Sequence, residues 1–254
     1  GENAPKPDGE LKSGQLSLGM TKAAGIIVLT EELVRSSSPA AEELVRADMT
    51  AQMAQFLDGQ FVDPAKAEVA DVSPASITNG ATKVIASGTD AAAVRADVQA
   101  LFKAFIAANL TPAGGVWIMT PTTALSIGLM QNALGQSEFP GINMNGGTFF
   151  GLPVVVSTNI ARSVAAAGPP AVVEGDRIIL ARASDILVAD DDGVNIDVSR
   201  EASLQLNSTP SAGAAQLVSL WQNNLVGLRA ERFINWKRRR PEAVAYIDQA
   251  NYSA

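Results

Sequence analysis

The apolar residues of this chain change period several times, and that alternation restricts it to a mixed fold. Leu44, Val45, Met49, Met53, Phe56 and Leu57 recur mostly at spacings of three and four, which places them on one face of a helix. Ser38 is the expected N-cap with Pro39 at the first helical position, and Glu42 and Glu43 suit the positive end of the helix dipole. The stripe predicts a helix over residues 39–58, stopped by Gly59. A second stripe, Val94, Val98, Leu101, Phe102, Phe105 and Ile106, follows Asp90 as cap and should end near Asn109, before Thr111-Pro112. Thr120-Pro121 opens a third helix, expected through Leu134 with Gly135 after it.

Between and around these stripes the pattern is that of strands. Leu16 and Leu18 alternate with Ser17 and Gly19, and then comes the apolar run 25–29. A strand that starts polar on both sides and ends buried would project from a body like an arm. Further strands are expected at 81–85, 115–119, 153–157, 177–180, 186–188, 194–198, 225–236 and 243–247. Residues 1–14 and 208–215 read as loops, 141–151 as a long loop or a hairpin tip, and Asp191-Asp192-Gly193 as a turn. Helix, strand and helix in close succession indicate a mixed α/β region. No internal repeat or coiled-coil heptad is present.

The chain has 254 residues without a single Cys or His. Its length suits one or two domains. Ser-His and Cys-His nucleophilic pairs are excluded, as is the usual zinc site. With no disulfide available, stability must come from packing and association. The net charge of −7 argues against sequence-independent nucleic-acid binding, which rests on neutralising phosphates. Apolar runs such as 23–29 fall well short of the roughly 20 residues that span a bilayer. Residues 1–9 are polar and Pro-rich and show no cleavable signal. Gly1 rather than Met stands first, which leaves upstream processing open.

The possible chemical motifs are weak. The Gly-rich stretch 141–151 lacks the Lys-Ser or Lys-Thr of a P-loop, and Gly146, Gly147 and Gly151 do not have dinucleotide-loop spacing. Asp190-Asp191-Asp192-Gly193 lacks the calcium-loop acid, since Val188 stands in its place. Glu31-Glu32 and Glu42-Glu43 are sequence neighbours, whose side chains point different ways. Lys237-Arg238-Arg239-Arg240 is the one dense basic run. It suits either contact with phosphate or an acidic neighbouring subunit, or plain solvation. No catalytic residue, metal ligand or cofactor site is assigned.

Several stretches, taken in order, resemble HK97-type major capsid proteins of tailed phages. The closing stretch 220–236, with Leu220-Trp221-Gln222-Asn223-Asn224 leading into an alternating strand and then Arg240-Pro241-Glu242-Ala243, is similar to the family's last strands. Gly25-Ile26-Ile27-Val28-Leu29-Thr30-Glu31-Glu32-Leu33 resembles the strand and turn before its spine helix. Val116-Trp117-Ile118-Met119-Thr120-Pro121, Gly151-Leu152-Pro153-Val154-Val155 and Asp197-Val198-Ser199-Arg200-Glu201 match later pieces. Together they cover about residues 15–250.

The resemblance implies an α+β subunit with the HK97-like capsid fold. A peripheral domain (25–87 and 216–254) would hold the spine helix and an antiparallel sheet. An axial domain (88–215) would sit at the centre of hexamers and pentamers, and residues 1–24 would be the remnant of an E-loop lying over a neighbour. Members carry an N-terminal arm and a first E-loop strand before this point. The implied role is structural and not enzymatic: self-assembly into a virion shell that encloses DNA without binding it specifically, with no membrane and no cofactor. Partners are copies of the chain itself, with scaffold, portal and decoration proteins as further candidates. Lys12, Lys22, Gly146, Gly147, Arg238, Arg239 and Arg240 are the expected intersubunit contacts. Lys12 and Lys22 are also candidates for the lysine of the family's Lys–Asn cross-link, but no Asn or Glu aligns with it and no cross-linking is expected. An encapsulin-like compartment shell is the alternative, distinguished by neighbouring genes for a cargo enzyme. A soluble α/β enzyme is the third reading, and would show a deep pocket with convergent polar groups.

Overall fold

A computed structural model describes residues 18–36, 39–163, 174–191, 193–207 and 216–252. Strand β1 (Lys22–Thr30) leads into helices α1 (Glu31–Ser36) and α2 (Pro39–Val62). Next come β2 (Thr82–Ile85), α3 (Ala91–Ala107), β3 (Gly115–Met119) and α4 (Pro121–Leu129). A run of strands follows: β4 (Ile142–Asn143), β5 (Gly146–Phe149), β6 (Leu152–Val156), β7 (Asp176–Arg182), β8 (Ile186–Asp190) and β9 (Asn195–Ser199). The chain closes with β10 (Ser203–Leu204), β11 (Val218–Ser219), β12 (Leu225–Arg238) and β13 (Val244–Ala250).

Seven strands form one sheet in the order β2-β13-β7-β3-β6-β5-β4. Its middle strands are apolar at nearly every position because both faces are covered. Alternate residues divide between two cores, as a period of two requires. Trp117, Met119, Ile178, Leu180 and Ile247 face α3 and α4. Ile118, Ile179, Ala181, Val244 and Tyr246 face the other way, toward α2. The second sheet is built on β12, which pairs with β1 along one side and with β9 and β8 along the other. Met49, Met53 and Leu57 of α2 share a core with Leu228 and Ala230 of β12. Each such buried side chain contributes about 1.5–3 kcal/mol.

Two helix caps match their sequence signals. Asp90 accepts from the Ala93 amide at 2.8 Å, and Thr120 accepts from the Thr123 amide ahead of Pro121. The expected Ser38 cap and the loop 208–215 lie outside the described residues.

Other expectations are corrected. Helix α2 runs past Gly59 to Val62 because its last carbonyls find side-chain donors: Ser76 Oγ reaches Phe61 O at 2.9 Å and Thr78 Oγ1 reaches Val62 O at 2.7 Å. An interior glycine, costing about 1 kcal/mol, is tolerated once the end beyond it is satisfied. Phe56, 59% exposed, and Ile106, 63% exposed, stand off the buried stripes. Helix α4 ends at Leu129, not Leu134. There Asn132 Oδ1 accepts from the Leu134 and Gln136 amides, a local turn that competes with helix. Of the two readings of 141–151, the hairpin is the one observed: the stretch holds β4, β5 and the turn into β6.

Candidate assembly surfaces

Four regions present side chains or backbone that the fold leaves uncovered. The first is the outer face and edge of the β12 sheet. Among the described residues β1 pairs on one side only, so it presents an open edge. Just before it, Asn235 Nδ2 donates to Gly19 O at 2.5 Å and the Ile234 amide donates to Thr21 O at 3.1 Å. These bonds aim residues 18–21 along β12, with Met20 exposed beside them. Lys22, Ile26, Arg229, Glu231 and Asp197 share the outer face by register. Lys22 Nζ lies 2.9 Å from Glu231 Oε1, and Arg229 lies 2.9 Å from Asp197 and 3.5 Å from Glu231. Lys22 is thus engaged within its own chain. Lys12 lies outside the described residues, and so does most of the expected arm.

The far edge of the seven-stranded sheet is the second region. In the β4–β5 hairpin a Cβ on Gly146 would fall 2.6 Å from Val154 O, and one on Gly147 2.3 Å from Gly141 O. Their φ values are +107° and +120°, so both positions demand glycine. Gly146 and Gly147 therefore hold backbones together, and the exposed large apolar side chains around them are Met144 and Phe150. Phe150 has φ +48°, which costs a bulky residue about 1–3 kcal/mol. Its ring packs edge-on to Phe149 and Phe102, with centroids 4.8 and 6.4 Å away, and remains half open to solvent.

The third region is the basic turn. Arg238 is not a free charge. Its guanidinium donates to Asn79 O at 2.5 Å and Pro241 O at 3.0 Å. Burial pulls its pKa below the usual guanidinium value, with Glu242 opposing. Lys237, Arg239 and Arg240 are exposed. The fourth region lies between β9 and β12, where Trp221 is 74% exposed in a short 3-10 turn closed by Asn224 in the left-handed conformation. In the sequence Trp221 belongs to the longer closing pattern 220–236. Its exposure had no signal apart from the Asn223-Asn224 turn beside it.

Two clefts gather polar side chains. One, of about 480 Å³, lies between residues 18–21, the 68–77 loop and the end of β12. The other, of about 580 Å³, lies at the start of α4. There Asp176 Oδ2 accepts from Thr120, Thr122 and Thr123 hydroxyls at 2.9, 3.2 and 2.6 Å, and Arg162 Nε reaches Oδ1 at 2.6 Å. Burial alone would raise the Asp176 pKa. The Thr123 and Thr120 hydroxyls and Arg162 outweigh it, and the net shift is downward. A carboxylate so thoroughly satisfied is a poor proton shuttle near neutral pH. Asp97 is held just as firmly: it accepts from the Ser87 amide and, at 2.6 Å, from the Tyr252 hydroxyl. Burial first, and then that bond, push the Tyr252 pKa up. Among the described residues no cluster of three acids suits a metal ion.

Comparison with known proteins was made against this geometry. The Phage capsid family matches residues 1–248. A capsid polyprotein of Pseudomonas phage PAJU2 is 50% identical over 257 residues, covering all of this chain; the chain spans 37% of that relative's length. A solved structure from Gordonia phage Cozz superposes with a TM-score of 0.67 at 17% identity, over 98% of this chain and 76% of the other. The capsid of an empty GTA particle, computed with C5 symmetry, gives 0.60 at 14% identity, over 92% and 75%.

Proposed function

Because the chain belongs to the phage capsid family and has its HK97-like fold, we propose that it is the shell-forming subunit of a major capsid protein, acting by association with copies of itself. Its role is structural and its place is the virion capsid. The proposal concerns how it associates: into hexamers and pentamers that close a head around DNA. The observation that carries it is that exposed apolar side chains are spread over several faces. Met20, Trp221, Phe150 and Leu134 (84% exposed) stand on separate elements, as contacts around a ring and between rings would require. A single binding cleft would gather them.

We assign residues 25–87 with 216–254 to a peripheral domain and 88–215 to an axial one. Strands β8 and β9 on β12, and β13 on β7, interlock the two, so they should move as one piece. Residues 1–24 are assigned to the arm over a neighbour. Residues 18–24 lie on this chain's own β12, so in this reading the reach over a neighbour falls to the residues before them. Arg239 and Arg240 are assigned to salt-sensitive contacts with an acidic neighbour, and the β4–β5 tip to the ring centre. Scaffold, portal and decoration proteins are the further partners of this reading.

The test is the Trp221→Ala chain, compared with the unaltered one by negative-stain microscopy and light scattering. Assembly should weaken while the fold stays intact. Unchanged assembly for this variant and for Phe150→Ser alike would count against these surfaces.

A further inference from the structure

We propose that the Asn145–Gly146 step at the tip of the β4–β5 hairpin is a self-modification site, at which the chain converts its own asparagine to aspartate and isoaspartate. The sequence contains two Asn-Gly steps, at 79–80 and 145–146. In this dipeptide the glycine leaves the following amide nitrogen unshielded. That nitrogen, on losing its proton to base, attacks the asparagine Cγ. The C–N bond to the side-chain amide breaks, ammonia leaves with the proton returned by solvent, and a succinimide closes. Water then opens the ring at either carbonyl, giving aspartate or isoaspartate. No oxidant or reductant is required.

The structure treats the two steps differently. Asn79 is half-buried. Its Nδ2 donates to Pro64 O at 2.8 Å, and its own carbonyl accepts from Arg238 at 2.5 Å. Swinging Cγ onto the Gly80 nitrogen would break the first bond and strain the second. Asn145 is exposed, and no hydrogen bond holds its side chain among the described residues; only its amide is engaged, by Asn143 Oδ1 at 2.9 Å. Gly146 pairs with Asn143 at the end of the two-strand ribbon, where pairing opens most readily.

The consequence follows from the tightness of this hairpin. Isoaspartate lengthens the main chain by one methylene at a place where even a Cβ on Gly146 or Gly147 would meet a carbonyl at 2.6 or 2.3 Å. Register across β4, β5 and β6 then fails. Aspartate keeps the register and adds one negative charge to the tip.

Peptide mapping of the native chain during storage at mildly alkaline pH tests this, with isoaspartate detected by enzymatic methyl transfer from S-adenosylmethionine. The need to break the hydrogen bonds at Asn79 should slow that site about tenfold or more relative to Asn145. In denaturant the two steps should react at similar rates. Equal native rates, a faster Asn79, or a difference that persists in denaturant would overturn the proposal. As a second readout, the Asn145→Asp chain should keep amide-exchange protection in β5, and the isoaspartate form should lose it. Protection retained by the isoaspartate form would contradict the stated consequence.

Discussion

Single residues carry more of this fold than its apolar composition suggests. Arg177 is mostly buried and joins three parts of the chain. Its Nε lies 3.2 Å from Asp248, and its Nη1 lies 3.3 Å from Asp63 and 2.9 Å from Ala161 O. Ser163 and Lys83 reach Asp248 as well, at 2.6 and 3.7 Å. Breaking a buried pair costs more than the pair contributes, because the partner is left charged and dry. Arg177→Met should therefore destabilise the chain by about 3–5 kcal/mol, measured by urea unfolding. Asp176 gives a pH prediction. Its folded pKa lies below the ordinary 3.8, so its stabilising contribution is complete above that value and is lost as pH falls through the folded pKa. The stability gap between the parent chain and Asp176→Asn should be widest near neutral pH and close on acidification; a gap independent of pH would refute this. No sequence pattern announced either residue, since both depend on contacts between distant segments.

At the scale of elements, periodicity was readable and termination only in part: α3 stops at Ala107, close to the expected Asn109, whereas α2 and α4 do not stop where expected. The stripes of α2 and α3 and the continuous apolar runs of β3 and β7 stood out in the sequence because burial imposes them directly. Element ends depend instead on which side chains arrive from elsewhere. Ser76 and Thr78 extend α2 past a glycine, and Asn132 shortens α4. The glycines of 141–151 suit a loop or a hairpin tip alike, because sequence alone cannot distinguish freedom from close approach. Gly147→Ala separates the two readings. With φ +120° and a carbonyl 2.3 Å from the new Cβ, it should cost about 1–3 kcal/mol or more, whereas a true loop would barely respond. The assembly surfaces were the least legible part. Lys22 and Arg238 drew attention as charges, yet both are engaged within the chain. Trp221, at 74%, is among the side chains left most open, Phe150 is half open, and neither has a partner motif in the sequence. Trp221→Ala should leave unfolding within about 0.5 kcal/mol of the parent, as for surface positions generally, while weakening association.

The whole molecule combines two interlocked larger sheets with apolar side chains and a strand edge left uncovered among the described residues. Charge contributes at this scale too. A chain of net charge −7 repels its copies at low ionic strength, so the exposed Arg239 and Arg240 are the natural counterweights at an interface. Reversing both to Glu should shift assembly toward higher salt without altering the fold. The most direct measurement is the mass distribution of the purified chain by light scattering across concentration and ionic strength, with electron micrographs of the same samples. The account predicts multi-copy rings or closed particles in at least part of that range. A species that stays monomeric at every concentration and salt would contradict it.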